Sequence, residues 1–224
     1  MLKKFKNSMI YYFARAMTWI IAFTPKFLVP FYGLLIGKFA YFTAVKLRDI
    51  AISQLMESYQ FMTRKRAIVI TRGLFIHLAI SVIELCRMLR DKNFMPSVSI
   101  SKSSMNSLNE AFQLNKGVVF ITGHIGNWEL MAAKLAGMGI PVFTVAKKSY
   151  DKRFTVYLMK KRESLGVNPI YRQSTGAPIK MVRALRKNGL LGFLIDQDTD
   201  VKSEFVTFFN RFASTPSGAA AFAI

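Results

Sequence analysis

The hydrophobic pattern of this chain changes character about halfway along its length. Near the N-terminus, residues 9–23 and 27–45 form long apolar runs, each broken by a single charge, Arg15 in the first and Lys38 in the second. From residue 118 onwards the apolar runs shorten to the length of single strands, and segments with helical spacing separate them. The first pattern is typical of hydrophobic helices, and the second predicts strands that alternate with helices.

The C-terminal half therefore predicts an α/β fold in which a mostly parallel central sheet is flanked by helices. Four buried strands are expected, at 118–122, 141–146, 168–171 and 190–195. The helices between them are expected at 130–137, 153–165 and 177–187. The last helix is followed by Asn188-Gly189, a pair that favours the left-handed conformation found just past helix C-termini.

Two further helices are expected upstream of the sheet. Apolar spacing predicts one over 49–62, and Thr63 is placed to cap a second that runs to Leu89. The polar segment 91–104, which contains Pro96, is the predicted boundary between these helices and the sheet.

The two apolar runs at the N-terminus predict a hydrophobic helical membrane anchor over 1–48. Neither run reaches about 18 uncharged apolar residues, the usual length of a span. No small-residue cleavage site follows them, so a removable signal peptide is not expected. Aromatic residues of the kind that lie at membrane interfaces are frequent here, namely Tyr11, Tyr12, Trp19, Tyr32 and Tyr41. An interfacial or re-entrant anchor, a single tilted span and a buried helical hairpin all remain open.

Composition supports a membrane surface as a partner. The 224 residues carry a net charge of +20, and 52% of them are hydrophobic. Such a charge attracts anionic partners, but the chain lacks Cys/His fingers, RNA-recognition aromatic motifs and a long basic arm, so no nucleic-acid partner is expected. A basic and hydrophobic chain fits an anionic lipid surface better. A soluble protein of high pI is the alternative.

The few residues with metal-binding or redox chemistry do not form a recognisable site. Cys86 is the only cysteine, so a disulfide within the chain is impossible, and it is expected to be a small core residue. His77, within the second upstream helix, is expected in the core or in a groove. The two histidines are far apart in sequence, so we expect no metal and no cofactor.

Polar residues cluster where three of the predicted strands end. His124 and Glu129 follow the first strand, Arg172 follows the third, and Asp196 with Gln197 follows the fourth. Because the carboxyl ends of parallel strands share one edge of a sheet, these side chains are expected to meet there.

His124 and Glu129 are spaced for a general-base pair. Asn127 is placed to cap the helix after the first strand, which puts Glu129 in its first turn, where a carboxylate is favoured. From there Glu129 is expected to orient His124, whose other nitrogen takes a proton from an alcohol. Backbone N–H groups at the helix start are candidates for an oxyanion site. The alternative to a general base is a structural histidine that is hydrogen-bonded in a turn.

No nucleophile elbow or Walker loop is present in the sequence, so the substrate is expected to supply the nucleophile.

Three sequence blocks resemble the lipid A biosynthesis (lauroyl/myristoyl) acyltransferases, a branch of the glycerolipid and lysophospholipid acyltransferase superfamily. They are Gly123-His-Ile-Gly-Asn-Trp-Glu-Leu130, Gly192-Phe-Leu-Ile-Asp-Gln-Asp198 and the segment from Val206 to Gly218. Their order and spacing agree with the family over about 49–224, and together they are specific.

The resemblance implies an acyltransferase domain over 49–224 behind the anchor. Its reaction moves a fatty acyl chain from an acyl carrier protein thioester to a hydroxyl of a lipid A precursor, an anionic phosphorylated glycolipid. Family members act at the cytoplasmic face of the bacterial inner membrane and need no metal.

The family's residues are carried over by motif position. The resemblance implies that His124 is the general base and that Glu129 orients it. The substrate-binding set comprises Asn127, Arg172, Asp196 and Gln197. The superfamily's commoner signature has Asp where this chain has Glu129, and the lipid A branch uses Glu.

Two alternatives remain at this point. One is an acyltransferase acting on another glycolipid or on a lysophospholipid, and the other is a non-catalytic basic membrane-binding protein. The chain ends at 218–224 within an apolar helical run that has no stop signal, which predicts a domain truncated at its C-terminus.

Overall fold

The computed structural model describes residues 2–91, 98–149 and 151–224. Its helices, in chain order, are α1 (Leu2–Ala22), α2 (Val29–Thr43), α3 (Val45–Ser58), α4 (Arg64–Arg90), α5 (Lys102–Gln113), α6 (Trp128–Gly137), α7 (Lys152–Ser164), α8 (Ala177–Arg186) and α9 (Gly218–Ala223). Its strands are β1 (Val118–Thr122), β2 (Val142–Ala146), β3 (Val167–Tyr171), β4 (Leu190–Leu194), β5 (Ser203–Phe208) and β6 (Arg211–Pro216). A short 3-10 turn, Lys26–Leu28, precedes α2.

Strands β1 to β4 form one parallel sheet in the order β1-β4-β2-β3. This confirms the predicted α/β fold with a parallel sheet flanked by helices. Pro169 lies in β3, which is an edge strand that pairs only with β2. Proline has no backbone N–H to donate, and an edge strand tolerates this because one of its sides has no neighbouring strand. Because all four strands run the same way, their carboxyl ends share one rim.

Side chains on the two faces of the sheet enter two separate cores. Leu190 and Val142 pack with Leu130 and Leu135 of α6 on one face. Leu191 and Phe193, which alternate with Leu190 along β4, pack with Met181 of α8 on the other face. This period-two alternation is what a strand covered by helices on both sides requires.

Most of the predicted elements are confirmed. Each of the four predicted strands lies within one residue of its observed bounds, and the helices between them occur as α6, α7 and α8. Thr63 caps α4, since its side chain accepts a hydrogen bond from the backbone N–H of Arg66 at 3.3 Å. Cys86 is buried as predicted. His77 is exposed, so its predicted place in a core or groove was wrong.

Two glycines allow α2 to approach α4 closely. Gly33 and Gly37 are one turn apart on α2 and both are buried. A Cβ atom at Gly37 would lie 2.5 Å from the Cα of Ile76 on α4, and one at Gly33 would collide with the side chain of Ile80. The helical N-terminal region is therefore held together by backbone contact as well as by side chains.

The helix with the strongest membrane character is not the predicted anchor. Helix α4 is long and apolar enough to cross a membrane, and 22% of its most apolar window is buried inside the protein. The N-terminal runs pass the same test only jointly, as 15–22 and 26–43, which are bent by 114° at the break between them. The anchor assigned to 1–48 therefore stays a prediction, while the helix of spanning length found among the described residues, α4, lies beyond it in the chain. The core helix of a soluble protein passes the same test.

Three elements were not predicted. Helix α5 begins at Lys102, near the end of the predicted polar boundary 91–104, and Pro96 falls outside the described residues. Strands β5 and β6 form an antiparallel hairpin whose turn residues, Phe209 and Asn210, both have positive φ. A two-residue turn of this kind normally carries Asn-Gly, which is why the signal was missed.

Candidate active site

The chain leaves β1 through a turn that brings His124 to the rim of the sheet. Gly126 has a φ of +60°, a conformation that glycine adopts without strain. Asn127 then caps α6, since its side-chain oxygen accepts a hydrogen bond from the backbone N–H of Leu130 at 3.2 Å. Its amide nitrogen donates to Ser81 O at 3.2 Å and to Glu84 Oε2 at 3.1 Å on α4, so Asn127 also fixes α6 against α4.

Asp196, which follows β4, holds His124 at two points. Its Oδ2 accepts a hydrogen bond from the backbone N–H of His124 at 2.7 Å, and its Oδ1 lies 2.8 Å from His124 Nδ1. Gly123 makes this approach possible, because a Cβ atom there would lie 3.0 Å from Asp196 Oδ2. The ring of Trp128 meets the His124 ring edge-on, with centroids 4.7 Å apart. Both the position and the plane of the imidazole are therefore fixed.

The charge state of Asp196 defines the tautomer of His124. Burial alone would raise the pKa of Asp196, but the hydrogen bonds from the backbone and the ring of His124 outweigh burial and lower the pKa. The carboxylate is therefore ionised at neutral pH and accepts hydrogen bonds only. In the neutral imidazole, Nδ1 of His124 consequently carries the proton, and Nε2 keeps its lone pair.

Glu129 lies in the first turn of α6, as expected, but its partner is Arg162 on α7. Arg162 Nε donates to Glu129 Oε2 at 2.9 Å, and a second nitrogen of the guanidinium pairs with Oε1. The predicted contact between Glu129 and His124 is thus replaced by two others, Glu129 with Arg162 and His124 with Asp196. The physical reason is that a bidentate guanidinium satisfies both oxygens of one carboxylate.

The pair formed by Glu129 and Arg162 is more shielded from solvent than the pair at His124. The side chains of Arg162 and Glu129 are 20% and 18% exposed, against 31% and 32% for His124 and Asp196. Burial alone would lower the pKa of Arg162, but the hydrogen bond and the negative charge of Glu129 raise it. The guanidinium of Arg162 therefore keeps its charge, and Glu129 is its bidentate hydrogen-bond partner.

A cavity of about 830 Å³ opens beside these residues. One end of the cavity is lined by His124, Glu129 and Arg162. We call these three residues, together with Asp196, the polar rim. At its other end the lining residues are Leu135, Val142 and Leu190, which belong to the buried core between the sheet and α6; we call this the inner end. The cavity is thus polar where it meets the rim of the sheet and apolar within.

The other predicted site residues divide into two groups. Arg172 and Gln197 line the cavity together with Lys147 and Lys202, which gives the outer part of the cavity several cations. Asn127 contacts α4 and the start of α6, and its predicted contact with substrate stays a prediction. Across residues 2–91, 98–149 and 151–224, no group of three or more His, Cys, Asp or Glu side chains is arranged to hold a metal ion.

Two functional contacts were missed from sequence. Asp196 was placed at the site, but as a substrate-binding residue and not as the partner of His124. Arg162 was not identified at all, because one arginine among 32 basic residues carries no distinguishing pattern. The hydrogen bond between α6 and α7 that reveals its role joins residues 33 positions apart.

A histidine held by a carboxylate, at the polar end of an apolar cavity on the carboxyl edge of a parallel sheet, defines a class of site. It suits a transferase that moves an apolar group to an alcohol, since it pairs a base with a hydrocarbon-binding space. The chain belongs to the bacterial lipid A biosynthesis acyltransferases, because the model of that family matches residues 2–224, nearly its whole length. This confirms the resemblance stated from the sequence blocks. No match to the chain was found among the curated proteins.

Proposed function

We propose that this acyltransferase moves a fatty acyl group from an acyl carrier protein thioester to a hydroxyl of a lipid A precursor, with His124 as general base. The observation that carries the proposal is the hydrogen bond of 2.8 Å between His124 Nδ1 and Asp196 Oδ1 at the polar end of the cavity. It leaves Nε2 of His124 as a proton acceptor within the cavity lining.

The reaction proceeds through a proton transfer and an acyl transfer that balance. The acceptor hydroxyl gives its proton to His124 Nε2 as its oxygen attacks the carbonyl carbon of the thioester. When the tetrahedral intermediate collapses, the C–S bond breaks and the carrier's thiolate takes the proton back from the imidazolium. Asp196 stabilises the imidazolium between these steps, a contribution of the general-base type worth roughly 10²–10⁴ in rate.

The developing oxyanion has candidate donors at the start of α6. The first N–H groups of a helix have no partner within it, and the side chain of Asn127 satisfies that of Leu130. The helix dipole adds positive potential at the same place. We assign Glu129 and Arg162 to holding α6 and α7 at the spacing the site needs, rather than to proton transfer.

The basic residues along the outer cavity suit an anionic acceptor. Arg172, Lys147 and Lys202 line it, and lipid A precursors carry phosphate groups. The net charge of +20 would also speed encounter with an acidic carrier protein and with the anionic cytoplasmic face of the bacterial inner membrane. Binding at that surface, through α4 and the N-terminal helices, is part of this proposal.

The test is an acyl-transfer assay with the full chain, read by mass spectrometry of the lipid product. Myristoyl carrier protein and myristoyl coenzyme A are compared as donors, and a lipid A precursor is compared with a lysophospholipid as acceptor. We expect transfer from the carrier protein to the precursor, with kcat/KM falling as salt is added. Equal use of coenzyme A, or transfer only to the lysophospholipid, would contradict the proposed donor or acceptor.

A further inference from the structure

Gly192 occupies the middle of β4, the strand that pairs with β1 on one side and β2 on the other. A glycine in a central strand weakens a sheet, because it loses more backbone freedom on folding and packs no side chain. The backbone conformation at position 192 does not require a glycine. Its φ is not in the left-handed region, and a Cβ atom would meet its nearest neighbours at 3.6 to 4.0 Å, which is ordinary contact. The position therefore accepts a side chain and is left without one.

The missing side chain would point into the cavity on the α6 face of the sheet. Gly192 lies between Phe120 of β1 and Thr144 of β2 in the register, and all three residues line the cavity. It shares a face with Leu190 two residues earlier, which packs against α6. Gly192 is thus a gap in an otherwise filled row of side chains that crosses the floor of the cavity.

The gap lies between the polar rim and the inner end. His124 is four residues beyond Phe120 in sequence, and the last two of these steps lie in the turn after β1, so the rise of a strand sets an upper limit of about 13 Å on the distance from His124 to the Gly192 row. The row of Val142 and Leu190 lies about 20 Å away on the same basis. At roughly 1.25 Å per methylene of an extended chain, these depths correspond to about 10 and about 16 carbons. A chain longer than about 10 carbons must therefore pass over Gly192.

We propose that Gly192 sets the acyl-chain length that this protein accepts, by leaving open the passage from the rim to the inner end of the cavity. The ligand class is a saturated acyl chain of about 12 to 16 carbons, lying along the sheet with its carbonyl carbon near His124. The atoms nearest the Cβ position of Gly192 are the backbone oxygen of Phe143 at 3.6 Å, the methyl carbon of Thr144 at 3.9 Å and Cδ2 of Leu190 at 4.0 Å, so both side chains that border the gap present carbon to it. The inference rests on the proposed function, because it assumes that the cavity holds the acyl donor's chain.

The experiment compares the full chain with its Gly192→Leu and Gly192→Ala variants, each reconstituted in lipid nanodiscs. Decanoate, laurate, myristate and palmitate displace a fluorescent fatty acid in a binding assay. We expect Gly192→Leu to weaken binding of myristate and palmitate by roughly 100-fold, since about four methylenes lose their buried site. Decanoate, which ends before the obstruction, keeps its affinity within a few-fold. Gly192→Ala, which adds only a methyl group, should weaken binding of laurate, myristate and palmitate slightly and spare decanoate. This variant provides the test if the leucine variant fails to fold.

A matched control places the same side chain nearer the rim. Ala146 lies on β2 two residues beyond Thr144 and also lines the cavity, so Ala146→Leu should weaken all four fatty acids alike. A chain-length profile that is unchanged in Gly192→Leu, or shifted equally by Ala146→Leu, would overturn the inference.

A second readout separates this inference from the proposed function. An equal mixture of decanoyl and myristoyl carrier protein is offered with the lipid A precursor, and the ratio of products is measured. If the native chain transfers neither group, the proposed function fails, and the binding profile alone decides the role of Gly192. If the native chain transfers either group, Gly192→Leu should raise the proportion of decanoyl product, and an unchanged product ratio would count against the inference.

Discussion

The two ends of the cavity are built on different physical principles. At the polar rim, the hydrogen bond of His124 to Asp196 and the ion pair between Glu129 and Arg162 join α6, α7 and the segments that follow β1 and β4, so each side chain has a defined partner. The inner end is lined by Leu135, Val142 and Leu190, and the passage that leads to it crosses Gly192, where a side chain is missing. The function of the polar rim therefore depends on specific contacts between side chains. The function of the inner part of the cavity depends on the volume that is left unfilled. Changes at the rim should alter rate and stability, while changes near the inner end should alter selectivity.

The largest expected effect is at His124. Replacing it with alanine removes the base, so kcat should fall by roughly 10² to 10⁴ while the melting temperature stays nearly constant. Steady-state transfer rates and thermal unfolding measure the two quantities. Ile125→Ala is the matched control, because that neighbouring side chain is 81% exposed. Near-normal turnover in a folded His124→Ala protein would remove the general-base role.

The next effect is on stability, at Glu129. Glu129→Ala leaves the guanidinium of Arg162 largely buried and unpaired, and we expect the free energy of unfolding to fall by about 3 kcal/mol. Chemical denaturation measures this loss. Glu163→Ala is the control, since Glu163 neighbours Arg162 in sequence but is exposed, and it should change stability by no more than about 0.5 kcal/mol. The double replacement Glu129→Gln with Arg162→Met should recover part of the loss. An equal loss in Glu129→Ala and Glu163→Ala would show that the pair contributes nothing.

A smaller effect should follow from crowding the rim without removing a functional group. In Gly123→Ala the new methyl group would lie 3.0 Å from Asp196 Oδ2 and 3.1 Å from its Cγ, so the carboxylate must move away from His124. We expect kcat to fall about tenfold, the equivalent of about 1.4 kcal/mol in the barrier. Gly137→Ala, at the end of α6, meets no atom within 4 Å and should leave turnover unchanged. If both variants behave alike, the close approach of Asp196 has no functional role.

The same contrast explains which features were accessible from sequence. The strands β1 to β4 and the helices between them follow from short apolar runs, glycines and caps, all of which are local signals. His124 was identified for the same reason, since it directly follows one of those runs. Its pairing with Asp196 joins residues 72 positions apart and depends on β4 lying beside β1, a strand order that periodicity does not reveal. Glu129 was placed in its correct turn, but the location of Arg162 on a neighbouring helix decided its partner.

The hairpin and the N-terminal helices illustrate other limits. The turn of the hairpin uses Phe209 and Asn210 in a conformation that usually selects glycine, so its sequence contains no recognisable turn signal. The close packing of α2 on α4 rests on Gly33 and Gly37, which have no side chain and so carry no signal in a hydrophobic pattern. In both places the backbone geometry, rather than side-chain hydrophobicity, determines the structure.

The central claim is that His124 acts as a unit with Asp196, and a double-mutant cycle tests it most directly. The rate constant kcat is measured for His124→Ala, Asp196→Asn and the double variant, with thermal unfolding as the check on folding. If Asp196 works through the imidazole, the double variant should be no slower than His124→Ala alone, because the carboxylate has nothing left to orient. If instead the two losses multiply, Asp196 acts independently of His124, and the proposed arrangement of the active site is contradicted.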